Sequence, residues 1–145
     1  MNKEEIFSVL YGKEKKEVWN RFLKIENSIE ESSMIYEFFD DIKVMLQNDK
    51  SYIKMRGFRI ICKLSKWDKD NKINIIIDSL LQVLDDEKPT IVRQCLASLN
   101  YLLLYKTELS SIIEIKLRNM DLSKYKDTMR SLIKKDIDYI RQSRE

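Results

Sequence analysis

The sequence predicts an all-α fold, a right-handed α-solenoid of about four antiparallel helix pairs, and three observations predict it. One short motif recurs at a fixed spacing: Met55-Arg56, Val92-Arg93 and Met129-Arg130 lie 37 residues apart. The apolar pairs Phe38-Phe39, Ile75-Ile76 and Ile112-Ile113 keep that spacing one helix earlier, so the repeating unit is two helices long, a period that marks stacked helical repeats. The third observation is composition, since 2 Gly and 1 Pro in 145 residues are too few for strands joined by tight turns.

Counting back one period from Met55 gives Val18. The first pair is therefore read as 3–11, with Ile6, Phe7 and Leu10, and 14–26, with Val18, Trp19, Phe22, Leu23 and Ile25; Gly12 falls at the turn. The second pair, 33–47 and 52–66, carries Ile35, Phe38, Phe39, Ile42 and Leu46, then Met55, Phe58, Ile61, Cys62 and Ser65. Its first helix follows Ser28 and Glu31, which have capping-box spacing, and its second helix takes Ser51 as N-cap. The third pair, 72–84 and 89–105, is the clearest: Ile73, Ile76, Ile77, Leu80, Leu81 and Leu84 recur at three- and four-residue steps, one wide apolar stripe on a 3.6-residue helix. Pro89 suits the first turn of the next helix, where its missing N–H would be unpaired anyway, and Val92, Cys95, Leu96, Leu99, Leu102 and Leu103 form the facing stripe. The fourth pair, 108–119 and 122–142, carries Leu109, Ile112, Ile113, Leu117 and Met120, then a break at Asp121 and Tyr125, Met129, Leu132, Ile133 and Ile140. Lys134, Lys135, Asp136, Asp138, Arg141 and Arg144 make its outer face polar, as a terminal cap of a stack requires. These pairs divide a single domain, 1–145, into units 1–27, 28–67, 68–106 and 107–145.

The segments Leu46-Gln47-Asn48-Asp49 with Met55-Arg56, and Leu84-Asp85-Asp86 with Pro89 and Val92-Arg93, resemble HEAT repeats of the armadillo-type class, in which an acidic turn precedes a helix opening on a Val-Arg pair. The resemblance covers most of the chain and is strongest over 72–105. It implies a ladder of hydrogen bonds between turn aspartates and helix arginines, matched here by Asp49, Asp86, Arg56, Arg93 and Arg130. Ser123 stands where the third aspartate belongs, and the turn is one residue longer than the family's.

The chain contains no histidine, which excludes imidazole acid/base chemistry, Ser-His or Cys-His nucleophiles and His metal sites. Cys62 and Cys95 stand alone on apolar faces without zinc or dithiol spacing, and read as buried thiols. Asp40-Asp41, Asp85-Asp86-Glu87 and Asp136 with Asp138 are the candidate carboxylate pairs, but neighbours at i,i+1 point to different sides of a helix. Gly12 and Gly57 are isolated, so no phosphate-cradling loop exists; Gly57, inside a helix, lets a neighbour approach closely. The expectation is a protein with no catalytic residues, metal or cofactor. No apolar run is long enough for a signal peptide or a membrane span, and the chain reads as cytoplasmic. Its richness in Lys, Ile and Asn suggests an AT-rich bacterial genome.

Charge is interspersed: 35% of residues are charged, the net charge is +3, and residues 1–72 and 73–145 carry +2 and +1. One basic stripe stands out, Tyr52, Arg56, Arg59, Lys63 and Lys66, on a second helix of the kind that lines the concave face of HEAT-like folds. A basic row there would track phosphates, which makes a nucleic-acid-backbone binder of the repair-associated HEAT-like type the alternative function. Shifted by 37 the stripe becomes Pro89, Arg93, Leu96, Asn100 and Leu103, so it stops after one repeat. Trp19, Trp67 and Tyr101 are the aromatics placed for a pocket, and core or interface packing accounts for each. Gln94, Ser98, Tyr101 and Tyr105 form the other candidate surface, because repeat packing does not demand tyrosine at those positions and Tyr is a good protein-contact residue. The sequence therefore predicts a protein- or peptide-binding module, a scaffold, adaptor or inhibitory partner, with Tyr101, Tyr105 and Gln94 at the site and Arg59 and Lys63 at its border.

Overall fold

The computed structural model describes residues 1–143, and all regular structure among them is helical. Arg144, assigned from the sequence to the polar face of the last helix, lies outside the described residues. Helix α1 (Lys3–Leu10) opens on Asn2, whose Oδ1 accepts the Glu5 N–H at 2.9 Å, so one of the N–H groups left unpaired by a helix start is answered. Gly12 follows in the turn, and α2 (Lys16–Ser28) runs on from it. The capping box at Ser28 does not form: Ser28 is the last residue of α2, and its hydroxyl donates to the Ile25 carbonyl at 2.6 Å.

The helix expected over 33–47 is broken. Residues 34–47 run as a 3₁₀ turn, a short α3 (Phe39–Lys43) and another 3₁₀ turn, before the regular α4 (Ser51–Leu64). The third pair repeats this, with α5 (Lys72–Ile75) and α6 (Ile77–Gln82) parted at Ile76 and followed by the long α7 (Pro89–Tyr105). Ile35, Tyr36, Phe38 and Phe39 crowd the first break, and Ile73, Ile75, Ile76 and Ile77 the second; β-branched and aromatic side chains lose χ1 freedom against the preceding helical turn. In the last pair α8 (Ser110–Asn119) is followed by α9 (Asp127–Gln142). That last helix begins five residues later than the spacing predicts, because Asp121 accepts the Ser123 N–H and hydroxyl and fixes a turn instead.

The long helices pack in chain order, α2 on α4, α4 on α7 and α7 on α9, while α3 and the 83–85 turn back onto α4 and α7. Phe22, Phe58, Cys95, Leu99 and Ile133 are buried along this line in one continuous core. Gly57 is where α4 meets the 44–47 turn: a Cβ there would lie 2.9 Å from Met45 Cβ, the close approach its position predicts. Both thiols are fully buried.

A buried polar cluster fixes the loop between the second and third pairs. Asp68 accepts the Tyr36 hydroxyl at 2.6 Å and the Lys72 and Ile73 N–H groups at 2.9 Å, and pairs with the Lys106 ammonium at 3.1 Å. Burial alone would raise the Asp68 carboxyl, but these donors outweigh it and hold it below the ordinary value. Lys106 also donates to Asn71 Oδ1 at 2.7 Å; Asn71 has φ 56°, a left-handed conformation that Asn tolerates better than most residues. Among the described residues no helix is long and apolar enough to cross a membrane.

Candidate functional site

The arginines and aspartates matched to the HEAT ladder take other partners. Arg56 is 2% exposed, and its Nη1 donates to the carbonyls of Val9, Leu10 and Gly12 at 3.3, 2.9 and 2.6 Å. A cation thus closes the negative end of α1 from a distant helix. Asp49, the first turn aspartate matched to the ladder, is exposed. Burial lowers the Arg56 pKa. Arg93 pairs with Asp136 of α9, Nε to Oδ2 at 2.7 Å, rather than with Asp86. Arg130 stays local, donating to the Tyr125 carbonyl at 3.0 Å and lying 3.2 Å from Asp127. Only Asp86 reaches across units as expected of a turn aspartate, and its basic partner is Lys54 at 2.6 Å, with the Ser51 hydroxyl at 3.0 Å. Ser51 is therefore not the N-cap of α4, a position Lys50 holds. The same turn is gripped from the other side, where Tyr125 donates its hydroxyl to the Asp86 carbonyl and Lys124 donates to that of Asp85.

The residues expected at a binding surface separate into two groups. Arg59 and Lys63 face the preceding helix: Arg59 makes a two-pronged pair with Glu26, Nε–Oε2 at 2.8 Å and Nη2–Oε1 at 2.7 Å, and Lys63 pairs with Glu30 at 2.8 Å. Burial alone would lower the Lys63 pKa, but its bonds to Glu30 and Tyr101 raise it. Within the basic stripe Arg59 and Lys63 are neutralised by carboxylates, whereas the acceptors of Arg56 are carbonyl oxygens. Tyr101 lies beneath Lys63, with the ammonium 4.0 Å from its ring centroid, and Tyr105, 42% exposed, borders a separate cavity with Lys66, Trp67 and Lys106. Gln94 belongs to the second group: its Oε1 accepts Arg59 Nη1 at 3.0 Å, and its side chain lines a trough.

This trough consists of two cavities, about 550 and 330 Å³, that both include Thr90 and Gln94. The larger lies between α7 and α9, against Arg93, Ala97, Asn100, Met129, Asp136 and Tyr139. The smaller lies at the N-terminal ends of α2, α4 and α7, against Lys15, Lys16, Trp19, Tyr52, Arg56 and Glu14. Sequence reasoning did not assign Ala97, Asn100, Met129 or Tyr139 to a site, and named Trp19 as a pocket aromatic that core or interface packing would equally account for. A signal was present: residues 94–105 contain no charge in a chain that is 35% charged, although Ala97, Asn100 and Leu104 face solvent. Among the described residues no three acidic or thiol groups are arranged to hold a metal ion. Comparison with known protein families, with curated proteins and with solved structures finds no match.

Proposed function

We propose that the chain is a non-catalytic helical-repeat module, a right-handed HEAT-like stack of four helix pairs, that binds a protein or peptide segment along the trough crossing α2, α4, α7 and α9. Its roles are those of a scaffold, adaptor or inhibitory partner. The single observation that carries this reading is the uncharged, solvent-facing strip of α7, continuous with two cavities on either side. Depletion of charge at the centre with aromatic residues and amides around it is the composition of an interface core. Tyr139, 67% exposed, is the aromatic anchor; of the residues assigned from the sequence, Gln94 lines the trough directly. Arg59, Lys63 and Tyr101 serve it from behind by fixing α4 against α2 and α7.

The test is site-specific photo-crosslinking in cells, with a benzophenone side chain placed at Ala97 or Asn100 and, as control, at Ile112 on α8. A discrete adduct from the α7 positions and none from Ile112 is expected. Equal labelling at all three positions, or none, would sink the proposal.

A further inference from the structure

We infer that the segment held in this trough is acidic and apolar in sequence, its carboxylate seated in the section between α2, α4 and α7 and its apolar side chain in the section between α7 and α9. The inference rests on the peptide-binding reading above and adds the ligand's chemistry. Arg56 is its starting point. The guanidinium is nearly inaccessible, its hydrogen-bond acceptors are neutral carbonyl oxygens, and its Nε is buried without a partner. A buried cation without a bound carboxylate is costly, and an anion brought near it offsets that cost. Glu14 is the carboxylate that acts on it, and Glu14 is exposed.

The rest of the section has the same sign. Lys15 and Lys16 line it and have no ion-pair partner among the described residues, so with Arg56 they outnumber Glu14. Helix α2 begins here without a side-chain cap, which adds its positive end to the field; the starts of α4 and α7 meet Asp86, which accepts the Ser51 hydroxyl and the Lys88 N–H. Trp19 and Tyr52 supply flat walls for the ligand's stem. On the other side of Gln94 the charges cancel, because Arg93 and Asp136 pair with each other. Ala97, Met129 and Tyr139 offer apolar surface there, and Asn100 an amide for the ligand's main chain. The change from positive to neutral along the trough orients the segment.

Fluorescence anisotropy on the full chain tests this, using labelled dodecapeptides with blocked ends that carry one Glu and one Leu at graded spacings in a Ser/Gly background. At least one spacing should bind with Kd below about 1 mM, the range of a single well-placed anchor pair. Replacing its Glu with Gln, or Lys15 and Lys16 with Ala in the protein, should each weaken binding about tenfold, and Tyr139→Ala should abolish the preference for Leu over Ser. Binding indifferent to Glu→Gln overturns the acidic assignment and leaves the peptide-binding reading standing. Failure of every peptide alongside a specific Ala97 crosslink overturns this inference alone, and failure of both measurements overturns the two together. Circular dichroism of each variant confirms that the fold is retained, since Lys15, Lys16 and Tyr139 are surface residues.

Discussion

At the scale of single residues, Arg56 carries the largest consequence. Its guanidinium satisfies several carbonyls at once, and a buried acceptor left without a donor costs about 1–3 kcal/mol. Arg56→Met should therefore destabilise the fold by roughly 3 kcal/mol or more in urea titrations, and Arg56→Lys should not restore it fully, because the lysine stem is shorter and its ammonium cannot stack as the planar guanidinium does on Tyr52, 4.9 Å from the ring centroid. Full rescue by lysine would show that charge alone matters. The helical period identified the face on which Arg56, Arg93 and Arg130 lie, but not their partners. Periodicity fixes an angle about a helix axis, whereas a side chain of this length chooses among every carbonyl and carboxylate within reach. Thus Arg56 reaches a helix end 46 residues back, and Asp86, expected to pair with a ladder arginine, pairs with Lys54. Acid titration offers a second check. Asp68 and Asp86 both have lowered folded-state pKa values; their stabilisation is complete above the unfolded carboxylate value of about 4 and is lost as pH falls through the folded values. Urea midpoints should fall on acidification below about pH 4, and Asp68→Asn should lower stability at neutral pH while flattening that acid limb. An unchanged slope in the variant would contradict the assignment.

Among the elements, the long helices α2, α4, α7 and α9 were legible because their apolar residues follow one face through three or more turns. The partner helices 34–47 and 72–85 were legible as elements but not as broken ones. Their apolar spacing is helical, yet their β-branched and aromatic content works against a regular α-helix, and packing arbitrates between the two locally. Gly57 gives a sharp test of how tightly such an element is held. Alanine is favoured over glycine by about 1 kcal/mol in a helix interior, but a Cβ at 2.9 Å from Met45 Cβ requires the backbone to shift, and overpacking typically costs about 1–3 kcal/mol. Gly57→Ala should thus be destabilising on balance, and pairing it with Met45→Ala should recover part of the loss. A stabilised single variant would mean that the 44–47 turn yields easily. Leu99, fully buried at the α7 core, should cost about 2–5 kcal/mol on truncation to Ala. Ile6 is equally enclosed and its helix is clamped by Arg56, so its truncation to Ala should cost a comparable amount.

For the molecule as a whole, the trough exists only because several helices, distant in sequence, start and run side by side. Its lining comes from residues 14 to 140. No local window of sequence contains more than one wall, which is why Tyr139 was assigned no role and Trp19, placed for a pocket, was accounted for by core or interface packing. The pairing of Arg59 and Lys63 has a consequence at this scale too. Because Arg59 and Lys63 are held by Glu26 and Glu30, duplex DNA should show no gel shift at ~150 mM salt, where binding depends on several unpaired cations meeting phosphates. A salt-resistant shift would revive the phosphate-tracking function.

The reach of Arg56 also orders events during synthesis. The carbonyls of Val9, Leu10 and Gly12 leave the ribosome more than 40 residues before the side chain that closes over them, a wait of several seconds at about 5–20 residues per second. Through that interval only water and the local Gly12 N–H cover the end of α1. The amino-terminal helix thus acquires its final boundary only when α4 arrives, and a ribosome-stalled chain ending before residue 56 should expose this end to proteases that spare the finished protein.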